Sequence, residues 1–452
     1  MKAALPRWIA ILLLALPSIV LAAPVEDVCM ANATASLTAF VQGNYAAVGK
    51  DFSPQLAAGL PAEKLQQTRW QILAMAGAYR SYGAPHRQLL HGASVIVVPV
   101  EFAQRPLDFV TACDASGHLA AFYLLEPSAV AAPAPVKARI VADGVRVQPL
   151  DVPSPAGPLR GALTLPSGKG PFPAVVLVAG SGPNDMDETV EGNKPFRDLA
   201  DGLAKAGVAS LRYDKRTLDY PRAIAAHPDF TVDNEVTDDA LMALRLLAKQ
   251  KSIDPRRVFV LGHSLGAQMA PRIAQRDDQI AGVVMLAAPA RPFLTMIAVQ
   301  LRELGPKQGM PTAELDKLER AIVAEQKLLD AADVKAPPTG SFAPIPGRPA
   351  LPQTYLLSLH DVHQVATAKA LTLPMLILQG ANDFQVSPTQ DFNVWKHALA
   401  GKPNVTFHLY PGLSHLFMPG PTKSPADYAK PAQVDPVVID TIAAWIKAQP
   451  AR

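Results

Sequence analysis

Residues 258–270 read V-F-V-L-G-H-S-L-G-A-Q-M-A, four apolar residues that run into G-H-S-L-G and then into a small-residue helical pattern. A strand, a tight turn and a helix carrying G-x-S-x-G form the elbow that bares a nucleophilic serine. Ser264 at the apex would carry its Oγ above the edge of a sheet, free to attack an electrophilic carbon. Gly262 and Gly266 flank it because a side chain at either position would collide with a neighbouring strand or helix. The helix that opens after Ser264 aims the Leu265 N–H, and the positive end of its dipole, at an oxyanion forming beside the serine. A plain glycine-rich turn has the same letters, but not the strand before it and the helix after it.

A serine nucleophile needs a base, a group that orients the base, and a second oxyanion donor. In a strand–helix–strand architecture these belong on loops at the carboxyl ends of strands, in the chain order serine, acid, histidine. The run 373–378, L-P-M-L-I-L, leads into Q-G-A-N-D and places Asp383 in such a loop. Residues 405–410 lead into P-G-L-S-H and place His415 in another, ahead of the last helix. His415 would take the Ser264 proton and return it to the leaving group, while Asp383 holds the imidazole tautomer. The run 174–178 leads into A-G-S-G-P-N-D, where two glycines allow close backbone approach. Ser181 is the best-placed second N–H there, with Gly182 as the alternative. The loop carries neither G-x-G-x-x-G nor a phosphate-binding lysine, so no nucleotide cofactor is expected. Just beyond it, Asp185, Asp187 and Glu188 could hold a substrate ammonium, or could bond the loop backbone and face solvent.

The elements that must position these residues lie in residues 140–452. Strand-like runs at 159–165, 174–178, 208–213, 258–261, 280–286, 375–378 and 405–409 alternate with helical patterns. That alternation predicts an α/β fold with a mainly parallel sheet covered on both faces. One helix starts near Thr231, and the last opens at Asp435-Pro436. Residues 290–372 form an insertion in the position of a lid: an amphipathic helix at 312–329, a proline-dense stretch at 336–352 and a helix at 355–370. His360 and His363 could share one helical turn as metal ligands, but no third ligand is evident and no metal is expected. Asp214, Lys215 and Arg216 at a strand end are expected to form structural ion pairs.

The rest of the chain precedes this region. Lys2 and Arg7, the 14-residue apolar run from Trp8 to Leu21, and the small residues at 20–22 have the layout of a signal peptide over residues 1–22. The run is shorter than the roughly 20 residues that span a bilayer. The expected product is therefore an exported protein, periplasmic or secreted, without a stable membrane anchor. Residues 23–127 suggest a small α+β domain, with β-like runs at 94–102, 107–113 and 118–125, and residues 128–139 a Pro/Ala linker. Pro99 points to an edge or bulged strand. The only two cysteines, Cys29 and Cys113, both fall in the small domain and would pair in an oxidising compartment. A net charge of +3 with interspersed signs and no Lys/Arg block gives no reason to expect a nucleic-acid partner, and 49% apolar residues suffice for a large core. Oligomeric state cannot be read.

The elbow G-H-S-L-G, the loop G-S-G-P-N-D-M-D-E, the strand L-R-Y-D-K-R, and the segments Q-G-A-N-D-F-Q-V and Y-P-G-L-S-H-L-F together resemble the EstD-type branch of the α/β-hydrolases. These are bacterial serine esterases, sometimes grouped with serine-aminopeptidase-like hydrolases. The resemblance covers nearly all of residues 23–452 and implies an α/β-hydrolase sheet with an inserted lid, preceded by a small helix-on-sheet domain. Met186, Thr217 and Ser414 depart from the residues common in that branch, where Arg, Gly and Asn often stand. The implied activity is hydrolysis of small carboxylic esters with short acyl chains through Ser264, Asp383 and His415. A peptidase or amidase on the same scaffold is the alternative. Thioester or lactone hydrolysis and a non-catalytic binding protein are more distant readings.

Overall fold

A computed structural model describes residues 23–90, 93–103, 106–125, 136–220, 227, 229–306, 310, 312–333, 339–342 and 351–452. The signal-peptide pattern, most of the Pro/Ala segment and much of the proline-dense stretch lie outside these residues. The described chain forms two compact units, the first running to residue 125 and the second from residue 136. Among the described residues, no helix is long and apolar enough to cross a membrane.

In the first unit, helix α1 (Ala23–Gln42) is followed by short helices α2 (Tyr45–Val48) and α3 (Pro54–Gly59) and by α4 (Ala62–Ala76). Cys29, Ala33, Leu37 and Phe40 recur every three or four residues on α1 and are all buried. They face an antiparallel sheet of β1 (Tyr79–Tyr82), β2 (His86–Leu90), β3 (Ala93–Phe102), β4 (Pro106–Thr111) and β5 (Tyr123–Leu125). Phe122 lies at the centre of this core, with edge-on rings of Phe109, Phe40 and Phe52 at 4.7, 5.1 and 5.9 Å. Strands β1 and β2 were absent from the three β-like runs because Y-R-S-Y and H-R-Q-L-L have little apolar alternation.

Pro99 requires a correction. It lies on β3, the central strand, which pairs with β1, β2 and β4. On one side of β3, β2 pairs with residues 93–97 and β1 with residues 100–102. Pro99 sits in the gap between them, where its missing N–H breaks no rung, and its carbonyl accepts from Gly83 N–H at 2.7 Å.

The second unit is built on a nine-stranded mixed sheet. Its strands are β6 (Arg139–Ile140), β7 (Arg146–Pro149), β8 (Gly161–Leu165), β9 (Phe172–Val178), β10 (Ala209–Tyr213), β11 (Ile253–His263), β12 (Val283–Leu286), β15 (Met375–Gly380) and β16 (Val405–Tyr410); β13 (Ser341–Phe342) and β14 (Leu351–Pro352) form a separate hairpin. The order across the sheet is β16-β15-β12-β11-β9-β10-β8-β7-β6. Neighbours from β16 to β10 are parallel, and β8, β7 and β6 add on antiparallel.

Two-sided burial explains the nearly unbroken apolar runs. On β9, Val176 and Val178 join one core and Val175 and Leu177 the other; Val260 and Leu261 divide likewise on β11. Helices α6 (Asp238–Ala248) and α7 (Leu265–Gln275) fill the first face, and α5 (Pro195–Lys205) and α13 (Pro436–Ala448) the second. A π-helical turn at Asp233–Thr237 leads into α6. The insertion after β12 contributes α8 (Phe293–Leu304), α9 (Thr312–Asp330), α10 (Gln353–His360) and α11 (Gln364–Ala370), and α12 (Asn393–Ala398) follows β15. The single helix expected at 355–370 is therefore two. The chain leaves helical geometry at His363, with φ −92° and ψ 58°, and Val362 beside the break is buried in the core.

Cys29 on α1 and Cys113 just beyond β4 form a disulfide with an S–S distance of 2.07 Å, closing a sequence separation of 84 residues. On the chain-entropy account, a loop of that length stabilises the first unit by about 4.5 kcal/mol. Peptide mapping of unreduced protein should recover the Cys29–Cys113 pair, and a Cys29→Ser/Cys113→Ser variant should lose the first unit's melting transition at a markedly lower temperature than the second's.

Candidate active site

The parallel run β16-β15-β12-β11-β9 brings the carboxyl ends of its strands to one edge of the sheet. The four loops of interest all start there: residues 179–188 after β9, Ser264 after β11, Asp383 after β15 and His415 after β16.

Ser264 adopts φ 53° and ψ −118°, a left-handed conformation worth about 1–3 kcal/mol of strain for a residue with a side chain. The turn is pinned by its N–H, which donates to Leu286 O at 2.9 Å, and by its carbonyl, which accepts from Gln268 N–H at 2.9 Å. It closes only because the flanking glycines let backbone approach backbone. A Cβ on Gly262 would lie 2.1 Å from Gly266 O, and one on Gly266 would lie 2.0 Å from Val178 O on β9. Leu265 is the first residue of α7, so its N–H has no partner four residues earlier and faces outward at the positive end of the helix.

His415 Nδ1 lies 2.7 Å from Asp383 Oδ2. The other donors to Asp383 are the N–H groups of Gln385 and Val386, both at 2.8 Å to Oδ1, and Gln379 Nε2 at 2.8 Å to Oδ2. Four donors converge on a buried carboxylate. Because a carboxylate accepts, the tautomer that fits this contact in a neutral imidazole has the hydrogen on Nδ1 and the lone pair on Nε2. His415 is linked to the elbow through its neighbour: the rings of His263 and His415 lie 4.6 Å apart, and His263 Nε2 is 2.9 Å from the His415 carbonyl oxygen.

The loop after β9 has its N–H groups sorted by partners. Gly180 N–H donates to Glu188 Oε1 at 2.6 Å. The next two N–H groups along the loop, those of Ser181, which is exposed, and Gly182, at φ 92°, meet no backbone acceptor among the described residues. The Asn184 side chain holds the carbonyls of Gly180 and Ser181 at 3.0 and 3.1 Å.

The acids beside this loop differ from the solvent-facing picture. Only Asp185 behaves simply, accepting from Thr189 N–H at 2.9 Å and its hydroxyl at 2.7 Å. Asp187 is buried against Arg212, Lys194 and Arg197 at 3.0, 3.2 and 3.2 Å. Burial would raise its pKa, but these three cations hold it below the usual aspartate value. Glu188 is also buried, at φ 51°, and pairs with His263 Nδ1 at 2.9 Å. It thereby ties the loop after β9 to the turn carrying Ser264. A link between residues 75 positions apart has no local signature.

Asp214 bonds Arg160 at 2.5 Å and the Met186 N–H at 2.6 Å; burial pushes its pKa up to about 7 against the pull of Arg160. Met186 itself packs with Val147 and Ala162. Arg216 pairs with Asp239, and Lys215 Nζ lies 2.9 Å from both Glu235 Oε1 and Gly180 O. The Thr217 hydroxyl donates to Glu235 at 3.1 Å, and the Ser414 side chain is buried. His360 faces Asp330 at 3.3 Å, and His363 is exposed beside Asp361. Among the described residues, no group of three His, Cys, Asp or Glu is arranged to hold a metal.

Burial lowers the pKa of His263, but the charge and hydrogen bond of Glu188, the His415 carbonyl and the Asp383 charge together raise it above 6.5. A raised pKa in the folded state gives a contribution that is complete below the unfolded value and fades as pH rises through the folded one. A His263→Gln variant should therefore show its largest melting-temperature deficit near pH 6 and a smaller one at pH 9. A deficit independent of pH would remove the charged pair from the account.

Over 290 residues, the chain is 42% identical to Esterase EstD of Thermotoga maritima; the match covers 64% of this chain and 65% of that protein, a little under two thirds of its length. Est1E from Butyrivibrio proteoclasticus superposes with a TM-score of 0.42 at 16% identity, covering 67% of this chain and 99% of that one. A hypothetical protein from Pseudomonas aeruginosa, PA2218, gives a TM-score of 0.45 at 16% identity, covering 69% and 96%. The sequence profile of the alpha/beta hydrolase family matches residues 175–430, a span that begins in β9 and takes in Ser181, Ser264, Asp383 and His415. With more than half of its length inside that match, the chain belongs to the alpha/beta hydrolase family.

Proposed function

We propose that the second unit is a serine hydrolase of carboxylic esters that works through a covalent acyl-enzyme. The observation that carries this reading is the Asp383–His415 pair at 2.7 Å, on the same sheet edge as a serine held at φ 53°. In the first half-reaction, Ser264 Oγ bonds to the substrate carbonyl carbon and its proton passes to His415 Nε2. The carbonyl π pair becomes an oxyanion facing the N–H groups of Leu265 and Ser181, with Gly182 as the alternative to Ser181. As the oxyanion collapses, the ester C–O bond breaks and the alcohol leaves with the proton from His415. Water, deprotonated by His415, then attacks the acyl-enzyme in the same geometry and releases the acid. The similarity to an esterase supports the choice of substrate.

The aminopeptidase form of the alternative needs an acid free to hold the substrate's α-ammonium. Asp187 is surrounded by three cations and Glu188 Oε1 is engaged by Gly180 and His263, which favours the ester reading. Export is part of the proposal, supported by the residue pattern at 1–22 and by the only two cysteines being paired.

Short-chain p-nitrophenyl esters should be hydrolysed well and aminoacyl p-nitroanilides poorly, and Ser264→Ala should lower ester turnover by at least about 10³-fold without unfolding. A Ser264→Ala enzyme that keeps a tenth of its turnover would exclude Ser264 as nucleophile. Efficient anilide cleavage that collapses in Asp185→Asn while ester turnover holds would move the assignment to the peptidase. N-terminal sequencing of protein recovered outside the cytoplasm should begin at Ala23; an intact Met1 there would argue against cleavage.

A further inference from the structure

The geometry points to Lys215 as a positioning residue for the oxyanion hole, fixed in turn by a hydrogen-bonded chain that ends on the insertion after β12. The inference rests on Ser264 being the nucleophile of an acyl transfer, as proposed above. Its starting point is the peptide between Gly180 and Ser181. In a trans peptide the C=O and the following N–H point in opposite directions, so whatever holds the Gly180 oxygen also aims the Ser181 hydrogen. Lys215 Nζ donates to that oxygen at 2.9 Å, and Asn184 Nδ2 donates at 3.0 Å. Lys215 also holds the far end of the same loop, because its own N–H donates to Asn184 O at 3.0 Å. One residue at the end of β10 thus grips the loop at both ends.

A lysine on a flexible four-carbon stem positions nothing unless its head is fixed. Here Nζ is buried and lies 2.9 Å from Glu235 Oε1. Glu235 is held in place by the Thr217 hydroxyl at 3.1 Å and, through Oε2, by the Tyr355 hydroxyl at 2.5 Å. Tyr355 sits on α10 within the insertion, and its ring stacks on Phe230 at 6.2 Å. The orientation of the Ser181 N–H is therefore referred, through Lys215 and Glu235, to the seating of α10. Lys215 never meets the substrate; its effect is confined to states in which the substrate oxygen is charged. A structural cation would leave the balance between ground state and transition state unchanged.

That balance is the test, read with p-nitrophenyl butyrate and with an alkyl trifluoromethyl ketone. The ketone adds Ser264 Oγ to its carbonyl carbon, the proton passes to His415, and the adduct carries the oxyanion. Lys215→Met removes the grip but leaves Glu235 buried without its cation, so Lys215→Met/Glu235→Gln serves as the variant without an orphaned charge. In the folded double variant, kcat should fall about 10- to 100-fold with KM within threefold, somewhat less than deletion of a donor itself. Affinity for the ketone should fall in parallel with kcat/KM. Tyr355→Phe, which removes one hydroxyl, should lower kcat severalfold at unchanged KM. A folded double variant with kcat within threefold of wild type, or with unchanged ketone affinity, overturns the role of Lys215. Unchanged kcat in Tyr355→Phe overturns the connection to α10. Failure of the underlying reading looks different: the wild-type protein would neither hydrolyse the ester nor bind the ketone, or Ser264→Ala would do both, and the role of Lys215 would fall with it.

Discussion

One constraint governs the second unit: an L-residue must be held at φ 53° where a strand turns directly into a helix. The strain of about 1–3 kcal/mol persists only if the surroundings allow no relaxed alternative. Strand β11 is paired on both sides, by β9 and β12, so the chain cannot unwind before the turn. Helix α7 is buried along most of its length, so it cannot slide after it. The two glycines let α7 lie almost in contact with β9, and that proximity brings the Leu265 N–H beside the loop carrying Ser181. A side chain at Gly266 would push α7 off Val178, and the turn carrying Ser264 would part from the loop after β9.

Burying charge around such a site has its own logic. Glu188 with His263, Lys215 with Glu235, Arg160 with Asp214 and Arg216 with Asp239 are ion pairs in which most partners are buried. Such pairs add little net stability, because desolvation offsets most of the Coulomb attraction. Their value here is positional. Glu188 holds the Gly180 N–H and Lys215 holds the Gly180 carbonyl, so both polar groups of one glycine are fixed by charged side chains. A glycine without such fixings would be free to rotate, as it has no Cβ to restrict it.

Much of this was legible from residue order, for identifiable reasons. Strands buried on both faces appear as short apolar runs, and every run named in the second unit carries a strand of the sheet. Ser264, Asp383 and His415 could be singled out because each follows such a run in a loop whose residues have the chemistry required. The glycines of the elbow could be read because their role is steric and local. The roles of Glu188, His263 and Lys215 could not be read, because they depend on which strand ends are neighbours in space. A run such as D-M-D-E looks like a solvated charge cluster until Arg212, Lys194 and His263 are known to surround it. Strands β1 and β2 stayed hidden for the opposite reason: half-exposed polar strands carry no periodic signal.

The strand order has a consequence for how the molecule comes into being. Ser264 is flanked by His263, which bonds the carbonyl of a residue 152 positions later, and the loop on its other side starts right after β9, before residue 190. Strand β16, which precedes His415, is an edge strand and docks only on β15. Contacts separated by so much chain carry a large loop-closure entropy and form late. The arrangement of the Ser264, Asp383 and His415 loops on one sheet edge is thus complete only in the finished second unit. A chain still emerging from a ribosome would lack the Asp383–His415 pair until nearly all of it had been made.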